Sequence, residues 1–293
     1  RHPEYGMEER ILLSAIRYDR GTVTIDGKEY PMRDMNFPTV DPADPLRLTD
    51  EEEELLHTLE LSFRHNARLH EHVRFLYSNG SMYKCCNSNL LYHGCIPMTE
   101  NREFDGLMVG GKMYRGKELM DFIDTQVKNA YFLPEDAPEK EACRDFMWYL
   151  WNGAKSPVFG KDKNRSFEHY FIEDPEVMRE TMNPYYQLSE EEETCDMILK
   201  EFGLPTKGSH IINGHMPVKI KSGETPIRAG GKLFIIDGGL SKAYQERTGI
   251  AGYTLIFNSH HLALAEHKPF DPERERTPKV YIVEKMQKRI TVA

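Results

Sequence analysis

The run His210-Ile211-Ile212-Asn213-Gly214-His215 decides the fold, because a short apolar stretch that ends at a polar, glycine-containing loop is typical of a buried strand leaving a sheet. The run Asn89-Leu90-Leu91-Tyr92-His93-Gly94 repeats that order of features earlier in the chain. A third run, Lys232-Leu233-Phe234-Ile235-Ile236, ends at Asp237-Gly238-Gly239. We therefore expect three buried strands, each followed by a loop with a polar side chain.

Further strands and several helices surround these runs. Strand-like sequence also lies at 253–257, with a continuation to His267, and at 280–283. Three stretches have the spacing of helices: 117–131, 139–151 and 190–202. Ser189 and Glu192 form a capping box that opens the last of them. Because strands and helices do not alternate as in a Rossmann fold, the predicted class is mixed α/β or α+β.

The N-terminal region predicts a helix and a hairpin. An amphipathic helical segment lies in the first 20 residues and is expected to place four apolar side chains on one face: Ile11, Leu12, Ala15 and Ile16. Asp26-Gly27 is a frequent pair in two-residue turns, so Val23 to Tyr30 is expected to form a small hairpin.

A long helix is predicted from Thr49 to about Tyr77. Thr49 and Glu52 have the spacing of a capping box, and acidic residues fill the first turn. Its apolar residues are expected to form a buried stripe: Leu56, Leu59, Phe63, Val73 and Leu76. The predicted organisation is a helical and hairpin segment over 1–98, a mostly helical insertion over 99–209 and a β-rich segment over 210–293.

Composition excludes some function classes. The 293 residues carry a formal net charge of −9, with 29% charged and 39% hydrophobic residues. That balance leaves no broad basic face for nucleic acid, and no apolar run approaches the roughly 18 residues of a membrane helix. The five cysteines, an odd number without a C-x-x-C pair, are expected to be buried free thiols. We therefore predict a cytoplasmic protein.

His93 and His215 are the strongest candidates for metal ligands. Each follows an apolar run where the chain leaves the sheet, and neutral imidazole is a common ligand of Mn, Fe and Zn. The adjacent Gly94 and Gly214 would let the backbone approach a metal or a phosphate closely. Ordinary loop histidines are the alternative, and two ligands alone do not hold a metal tightly.

Asp237 is the carboxylate expected at the mouth of the sheet, as a ligand or a substrate contact, although Asp-Gly-Gly is also a common turn. The loop that follows, from Gly238 to Tyr244, has the hydroxyl of Ser241 and the ammonium of Lys242, which weakly indicate a phosphate cradle. The spacing of a Walker loop is absent. His260 and His261 are expected to be packing residues.

Two groups of basic residues indicate an anionic substrate, although solvated surface residues are the alternative for each. The first group flanks the later strands: Lys219, Lys221, Arg228 and Lys232. The second lies in the glycine- and proline-containing loop over 152–165: Lys155, Lys161, Lys163 and Arg165. No G-x-S-x-G motif supports covalent catalysis by serine.

Taken together, these runs closely resemble class 3 fructose-1,6-bisphosphatases, the bacterial type found in Firmicutes and Bacteroidetes. The resemblance rests first on three stretches of the C-terminal third: 213–219, 231–244 and 248–255. It extends forward through shorter ones: 37–39, 72–76, 80–83, 89–97, 159–163 and 167–168.

The resemblance implies a calcineurin-like metallophosphoesterase β-sandwich with helical insertions and a two-metal centre at the strand ends. His93 and His215 match the family's H-G and G-H positions and are implied as ligands of divalent ions, with Mn²⁺ expected. The loop from Asp237 to Tyr244 is implied to border the active site, and Arg165 resembles a phosphate-holding arginine. The implied reaction is hydrolysis of the 1-phosphate of fructose 1,6-bisphosphate in gluconeogenesis, by two-metal activation of water. Candidates for holding the substrate are Lys161, Arg165, Lys219, Arg228, Asp237 and Lys242.

The sequence departs from that pattern in one respect. The D-x-H, G-D-x-x-D-R-G and G-N-H-[DE] motifs do not occur in it. We expect them upstream of Arg1, so no catalytic residue is assigned and the isolated chain is expected to be nearly inactive. The alternatives are another sugar or protein phosphatase on the same scaffold, or a non-catalytic structural or regulatory half. The expected partner is a small sugar bisphosphate, with other copies of the chain as a further candidate and with no nucleic acid and no membrane.

Overall fold

The computed structural model describes residues 5–238, 241, 243–244, 252–267 and 279–285, with only the backbone described for Glu9 and 279–285. The chain divides into two units whose segments interleave along the sequence. Unit 1 comprises Arg1–Ser81, Gly106–Tyr114 and Asp121–Asn183, and unit 2 comprises Met82–Asp105, Arg115–Met120 and Pro184–Ala293. The division of the sequence after residues 98 and 209 stays a prediction.

Unit 1 begins with a three-stranded antiparallel sheet. Its strands are β1 (Ile16–Arg17), β2 (Thr22–Ile25) and β3 (Lys28–Pro31). Asp26 and Gly27 both have positive φ, 49° and 74°, as a two-residue hairpin turn requires, so the predicted hairpin is confirmed. The helix predicted in the first 20 residues is wrong beyond one turn: α1 spans only Leu12–Ala15, because Ile16 pairs with Val23 in the sheet.

The long helix predicted from Thr49 is two helices, α2 (Asp50–Arg64) and α3 (Ala67–Asn79). The capping box at Thr49 is confirmed. The helix ends near His65 because the Asn66 side chain accepts from the Leu69 N–H and caps a new helix.

The buried stripe predicted for this segment is wrong. Neither helix has a buried residue, and four of the five stripe side chains are exposed: Leu56, Leu59, Phe63 and Leu76. Val73 is half-buried. The 3.6-residue spacing identified the apolar face of each helix, but spacing alone does not determine whether other residues cover that face.

The middle of the chain adds a hairpin and two long helices. The hairpin joins β6 (Gly106–Val109) to β7 (Lys112–Arg115). The helices α4 (Gly116–Phe132) and α5 (Lys140–Asn152) agree with their predicted ranges to within one residue. A separate small core of unit 1 consists of Ile16, Val23, Ile25, Ile172 and Val177.

The main sheet belongs to unit 2 and has the strand order β4-β5-β8-β10-β9. Its strands are β4 (Lys84–Cys86), β5 (Asn89–Leu91), β8 (His210–Asn213), β9 (Ile227–Arg228) and β10 (Leu233–Ile235). The three central strands are parallel, with Leu90 opposite Ile211 and Ile211 opposite Leu233. These are the three predicted buried strands, and their alignment brings their carboxyl ends to one edge of the sheet.

The rest of unit 2 is a three-stranded antiparallel sheet and two helices. The strands are β11 (Tyr253–Phe257), β12 (His261–Glu266) and β13 (Lys279–Lys285), and the helices are α6 (Tyr185–Leu188) and α7 (Glu192–Glu201). The capping box predicted at Ser189 is wrong, because Glu191 precedes α7 without a side-chain cap. His260 is also not a packing residue, since it lies exposed between β11 and β12.

A continuous core of unit 2 lies beneath the main sheet and includes Leu90, Ile211, Ile212, Leu233 and Phe234. Three of the five free cysteines are buried as predicted, Cys95, Cys143 and Cys195, whereas Cys85 and Cys86 are exposed because their strand is the sheet edge. Within the described ranges, no helix is long and apolar enough to cross a bilayer. The mixed α/β class is confirmed.

Candidate active site

The candidate site lies at the carboxyl ends of the three parallel strands of unit 2. His93 follows the end of β5 by two residues, His215 follows β8 by two, and Asp237 follows β10 by two. Neighbouring parallel strands present their ends side by side, so this common offset brings the three residues together. Ligand sites in open sheets form at such ends because the loops there stand on a rigid scaffold.

Backbone hydrogen bonds continue past the strand ends and hold the three loops. The Tyr92 N–H donates to the Ile212 carbonyl at 3.2 Å, and the Gly214 N–H donates to the His93 carbonyl at 3.1 Å. The Asp237 carbonyl accepts from the Val218 N–H at 3.1 Å. The backbones at His93 and Asp237 are therefore held by hydrogen bonds to the segment that carries His215.

The two imidazoles lie next to each other. The ring centroids of His93 and His215 are 5.3 Å apart, and the rings stand nearly perpendicular, at 86°. His93 is exposed and His215 half-buried, so the pair is accessible from solvent. The sequence prediction that these two histidines share one site is consistent with this arrangement.

Gly214 lies between the candidate residues. A Cβ atom there would lie 3.0 Å from the His93 Nδ1 and 3.7 Å from the Asp237 Cβ. Gly214 was predicted to let the backbone approach a metal or a phosphate. In the structure, the group next to Gly214 is the His93 ring. Any larger residue would displace that ring by a few tenths of an ångström.

His215 has a left-handed backbone, with φ of 62°. A residue with a side chain pays a conformational cost there, although His, Asn and Asp adopt it more often than other residues. Non-glycine residues in this region cluster at functional sites, where the surrounding structure over-determines them. The conformation fits the assignment of His215 to the site.

Asn213 is a site residue that the sequence analysis did not single out. Its side chain is buried, and its Nδ2 donates to the carbonyls of Tyr92, His93 and Gly94 at 3.2, 3.2 and 2.8 Å. The signal was present in the sequence, because a single amide closes the apolar run before Gly214.

The residues present fit a metal ion by type of donor but not by number. Imidazole nitrogen is a ligand for Mn, Fe and Zn. Metal sites need three to six ligands, and among the described residues no group of three or more His, Cys, Asp or Glu side chains is placed to hold an ion. His93 and His215 could therefore supply part of a metal site.

The basic candidates of unit 2 differ in how their charges are balanced. Lys219 is exposed, and its backbone N–H donates to the Glu224 carboxylate at 3.0 Å. The Arg228 guanidinium forms ion pairs with Glu190 and, at 3.1 Å, with Glu224. Lys242 lies outside the described residues. Of these side chains, Lys219 is the one that the geometry leaves extended into solvent.

The remaining candidates, Lys161 and Arg165, belong to unit 1 and bind carboxylates there. The Lys161 Nζ lies 2.5 Å from the Glu180 Oε2. Burial raises the pKa of Glu180, but the Arg165 backbone N–H and the Lys161 ammonium outweigh that effect and hold the pKa below its usual value.

Arg165 is buried in a charge cluster of unit 1, which we call the Arg165 cluster: Arg10, Asp26, Lys163, Arg165 and Glu168. Its guanidinium binds Glu168 at 2.9 Å and also binds Asp26. Burial raises the pKa of Asp26, but the Lys163 hydrogen bond and the Arg165 charge hold it lower overall. Sequence reasoning identified Arg165 but not the carboxylates that neutralise it.

Buried polar side chains lie in the core close to His93 in the sequence. The hydroxyls of Tyr92 and Tyr185 are 2.7 Å apart in the core. Burial raises the pKa of the neighbouring Cys95 thiol to about 12, so that thiol stays protonated and is unsuited to act as a nucleophile.

Comparisons with known proteins agree on one family. A sequence model of Firmicute fructose-1,6-bisphosphatase matches residues 1–293. The chain is 53% identical over 270 residues to a class 3 fructose-1,6-bisphosphatase of Bacteroides fragilis, covering 92% of this chain and 41% of that protein. It is 48% identical over 299 residues to one of Clostridium botulinum, covering 100% of this chain and 45% of that protein. No solved structure is significantly similar to the chain.

The chain thus spans about two fifths of the length of the curated relatives it matches. The comparisons do not bear out the expectation that family motifs lie upstream of Arg1, because a match to residues 1–293 describes only this chain. Since that match covers the whole sequence, the chain belongs to the Firmicute fructose-1,6-bisphosphatase family.

Proposed function

We propose that the protein hydrolyses the 1-phosphate of fructose 1,6-bisphosphate, as a phosphoric monoester hydrolase of gluconeogenesis. Water would replace the sugar oxygen at phosphorus, so the products are fructose 6-phosphate and inorganic phosphate. The observation that carries the proposal is the pair His93 and His215, which stand side by side at parallel strand ends in a chain of this family.

The proposed scaffold is that of the calcineurin-like metallophosphoesterases. Parallel strands that carry a histidine after β5 and another after β8 support it. His93 and His215 would hold a divalent ion, with Mn²⁺ proposed, together with ligands from outside the described residues. Such ions, when bound, activate water and stabilise the charge of the transferred phosphoryl group.

The substrate phosphates would be held by basic side chains near the sheet edge. Lys219 is the best supported, because it is exposed and follows His215 by four residues. Lys242 is proposed on the loop that follows β10, and Asp237 on the same loop as a metal ligand or another contact to the substrate. Arg228 would contribute only if its ion pairs with Glu190 and Glu224 opened.

The cellular setting is proposed with the reaction. Three buried free thiols, including Cys95, support a reducing compartment, and we propose the cytoplasm. Assembly into a homo-oligomer is also proposed; the seven large apolar side chains exposed on α2 and α3 support a buried interface there: Leu55, Leu56, Leu59, Leu61, Phe63, Phe75 and Leu76.

The test is a Mn²⁺-dependent phosphate-release assay on the protein and three histidine variants. His93→Ala and His215→Asn each remove an imidazole, and asparagine tolerates the left-handed backbone at 215. His210→Ala is the matched control, because that histidine lies at the opposite end of β8 and binds the Gly231 carbonyl at 2.8 Å. Activity should fall at least 100-fold in the first two variants and less than threefold in the control. Near-normal rates in both site variants would contradict the assignment.

Substrate profiling separates the proposal from another phosphatase of the same scaffold. The proposal expects fructose 1,6-bisphosphate to exceed other sugar phosphates, nucleotides and phosphopeptides in kcat/KM by at least tenfold. If the chain is inactive but becomes active when the rest of a relative's polypeptide is added, it is a non-catalytic half that completes a shared site. The incomplete ligand set in the described residues favours testing this second candidate.

A further inference from the structure

We infer that Asn213 is a positioning residue that fixes the His93 loop against the strand that carries His215. The inference rests on the proposed function, because its importance depends on the two imidazoles acting together. Asn213 is the last residue of β8, its side chain is 3% exposed, and its position in the sheet is opposite Ile235 of β10.

The amide serves three carbonyls in succession. The Asn213 Nδ2 lies 2.8 Å from the Gly94 oxygen and 3.2 Å from the oxygens of both Tyr92 and His93. These carbonyls lie just beyond the end of β5, where the regular ladder with β8 has stopped. Buried carbonyls need donors, and the side-chain amide supplies one to the carbonyls of Tyr92 and Gly94 and adds a second donor at the His93 carbonyl, which also accepts from the Gly214 N–H.

Few residue types could replace Asn213 as a donor to these carbonyls. A carboxylate at 213 would set acceptor oxygens against three carbonyl oxygens, and a serine hydroxyl has one proton to donate where the amide has two. An apolar residue would take the Asn213 donor away from the buried carbonyls of Tyr92 and Gly94, and a buried acceptor without a donor is destabilising.

The consequence for the site follows from the chain positions. The His93 carbonyl accepts two hydrogen bonds, from the Asn213 side chain and from the Gly214 N–H. The donors are the two residues directly before His215. One imidazole therefore has its backbone anchored to the residues that orient the other, and the 5.3 Å separation of the rings depends on that anchor. Partners that orient metal ligands typically change metal affinity 10–100-fold when removed.

The first experiment measures Mn²⁺ binding to the whole chain by calorimetry at one pH, with the metal alone as the probe. Asn213→Ser should weaken binding 10–100-fold. Asn89→Ser is the matched control, because Asn89 is equally buried at 3% in the adjacent strand but donates only to the Asn87 carbonyl, 3.2 Å away. The control should bind within threefold of the unaltered protein. Equal effects of the two substitutions would overturn the inference.

The second experiment measures amide hydrogen exchange in the metal-free protein and tests the hydrogen bonds around Asn213. In Asn213→Ser, the Gly214 amide should exchange with solvent at least tenfold faster, while the amides of the β8–β10 ladder keep their rates. A uniform increase across the sheet would show a general structural role and overturn the inference. In the unaltered protein, the side-chain amide protons of Asn213 should exchange at least tenfold more slowly than those of exposed Asn36. Equal rates would also overturn it, and this measurement needs no variant to fold.

The two hypotheses fail in different ways. If His93→Ala leaves Mn²⁺ affinity unchanged, the proposed ligand assignment fails, whereas the exchange rates still decide the role of Asn213. If His93→Ala abolishes binding but Asn213→Ser changes neither affinity nor exchange, the inference about Asn213 fails and the proposed function stands.

Discussion

Replacing Arg165 by methionine should destabilise unit 1 by about 3 kcal/mol. The side chain is 4% exposed, binds Glu168 at 2.9 Å and also binds Asp26. Removing one partner of a buried ion pair costs about 3–5 kcal/mol, because the other charge stays buried without compensation. The expected loss lies at the lower end, since Arg10 continues to bind Glu168.

The measurement is urea unfolding followed by tryptophan fluorescence. Both tryptophans, Trp148 and Trp151, lie in unit 1, and Trp151 contacts the ring of Phe167 at 5.8 Å, close in sequence to the Arg165 cluster. Lys163→Met is the matched control, because Lys163 also binds Asp26 but is 31% exposed. Exposed pairs contribute about 0–1 kcal/mol, so the control should change stability by no more than that.

The same variant decides between two roles for Arg165. A structural role predicts lost stability with an unchanged KM for fructose 1,6-bisphosphate. Equal, small stability changes in Arg165→Met and Lys163→Met, together with a raised KM only in Arg165→Met, would contradict the structural role. Arg165 would then be assigned to substrate binding.

Three further predictions concern the exposure of the α2 face, the titration of Cys95 and the packing at Gly214. At protein concentrations low enough to separate the proposed oligomer, Leu59→Ala should cost less than about 1 kcal/mol in urea unfolding, because Leu59 is 47% exposed in the single chain. Leu90→Ala, at a fully buried position, should cost about 2–5 kcal/mol. Equal losses would show that the chain itself covers the α2 face. Burial raises the pKa of the Cys95 thiol from 9.0 to about 12, so its contribution to stability is complete below pH 9.0 and falls by about 1.4 kcal/mol per pH unit from there to about pH 12. Cys95→Ala should remove that slope and Cys86→Ser should not, as urea midpoints between about pH 7 and about pH 11 would reveal. Gly214→Ala should shift the nearby imidazole and lower kcat at least tenfold while the unfolding midpoint changes little; unchanged kcat would argue against the close approach at that glycine.

Much of the fold followed from local sequence signals. The Asp26-Gly27 turn and the apolar runs ending at Tyr92 and Ile236 specify their structures within a few residues, because turn chemistry and burial act locally. The prediction that His93 and His215 lie just past strand ends is confirmed for the same reason.

Other features depended on contacts that no local pattern reports. The spacing of Leu56 and Phe63 is that of a buried stripe, yet burial requires a covering element that the helix itself does not encode. Arg165 was predicted to contact a substrate phosphate, but its partner Asp26 lies 139 residues away in the sequence. Its other partner, Glu168, also binds the distant Arg10. Asn213 was passed over although its amide closes an apolar run, because the three carbonyls that it binds lie 119 to 121 residues away in the sequence.

His93 and His215 are proposed to bind the same divalent metal ion. Pulsed electron paramagnetic resonance of the Mn²⁺-loaded protein tests it directly, because nitrogen nuclei of bound imidazoles modulate the electron spin echo. Histidine nitrogen modulation should weaken in His93→Ala and in His215→Asn, disappear in the double variant and persist in His210→Ala. Bound Mn²⁺ with no nitrogen modulation, or with modulation unchanged in the double variant, would contradict it.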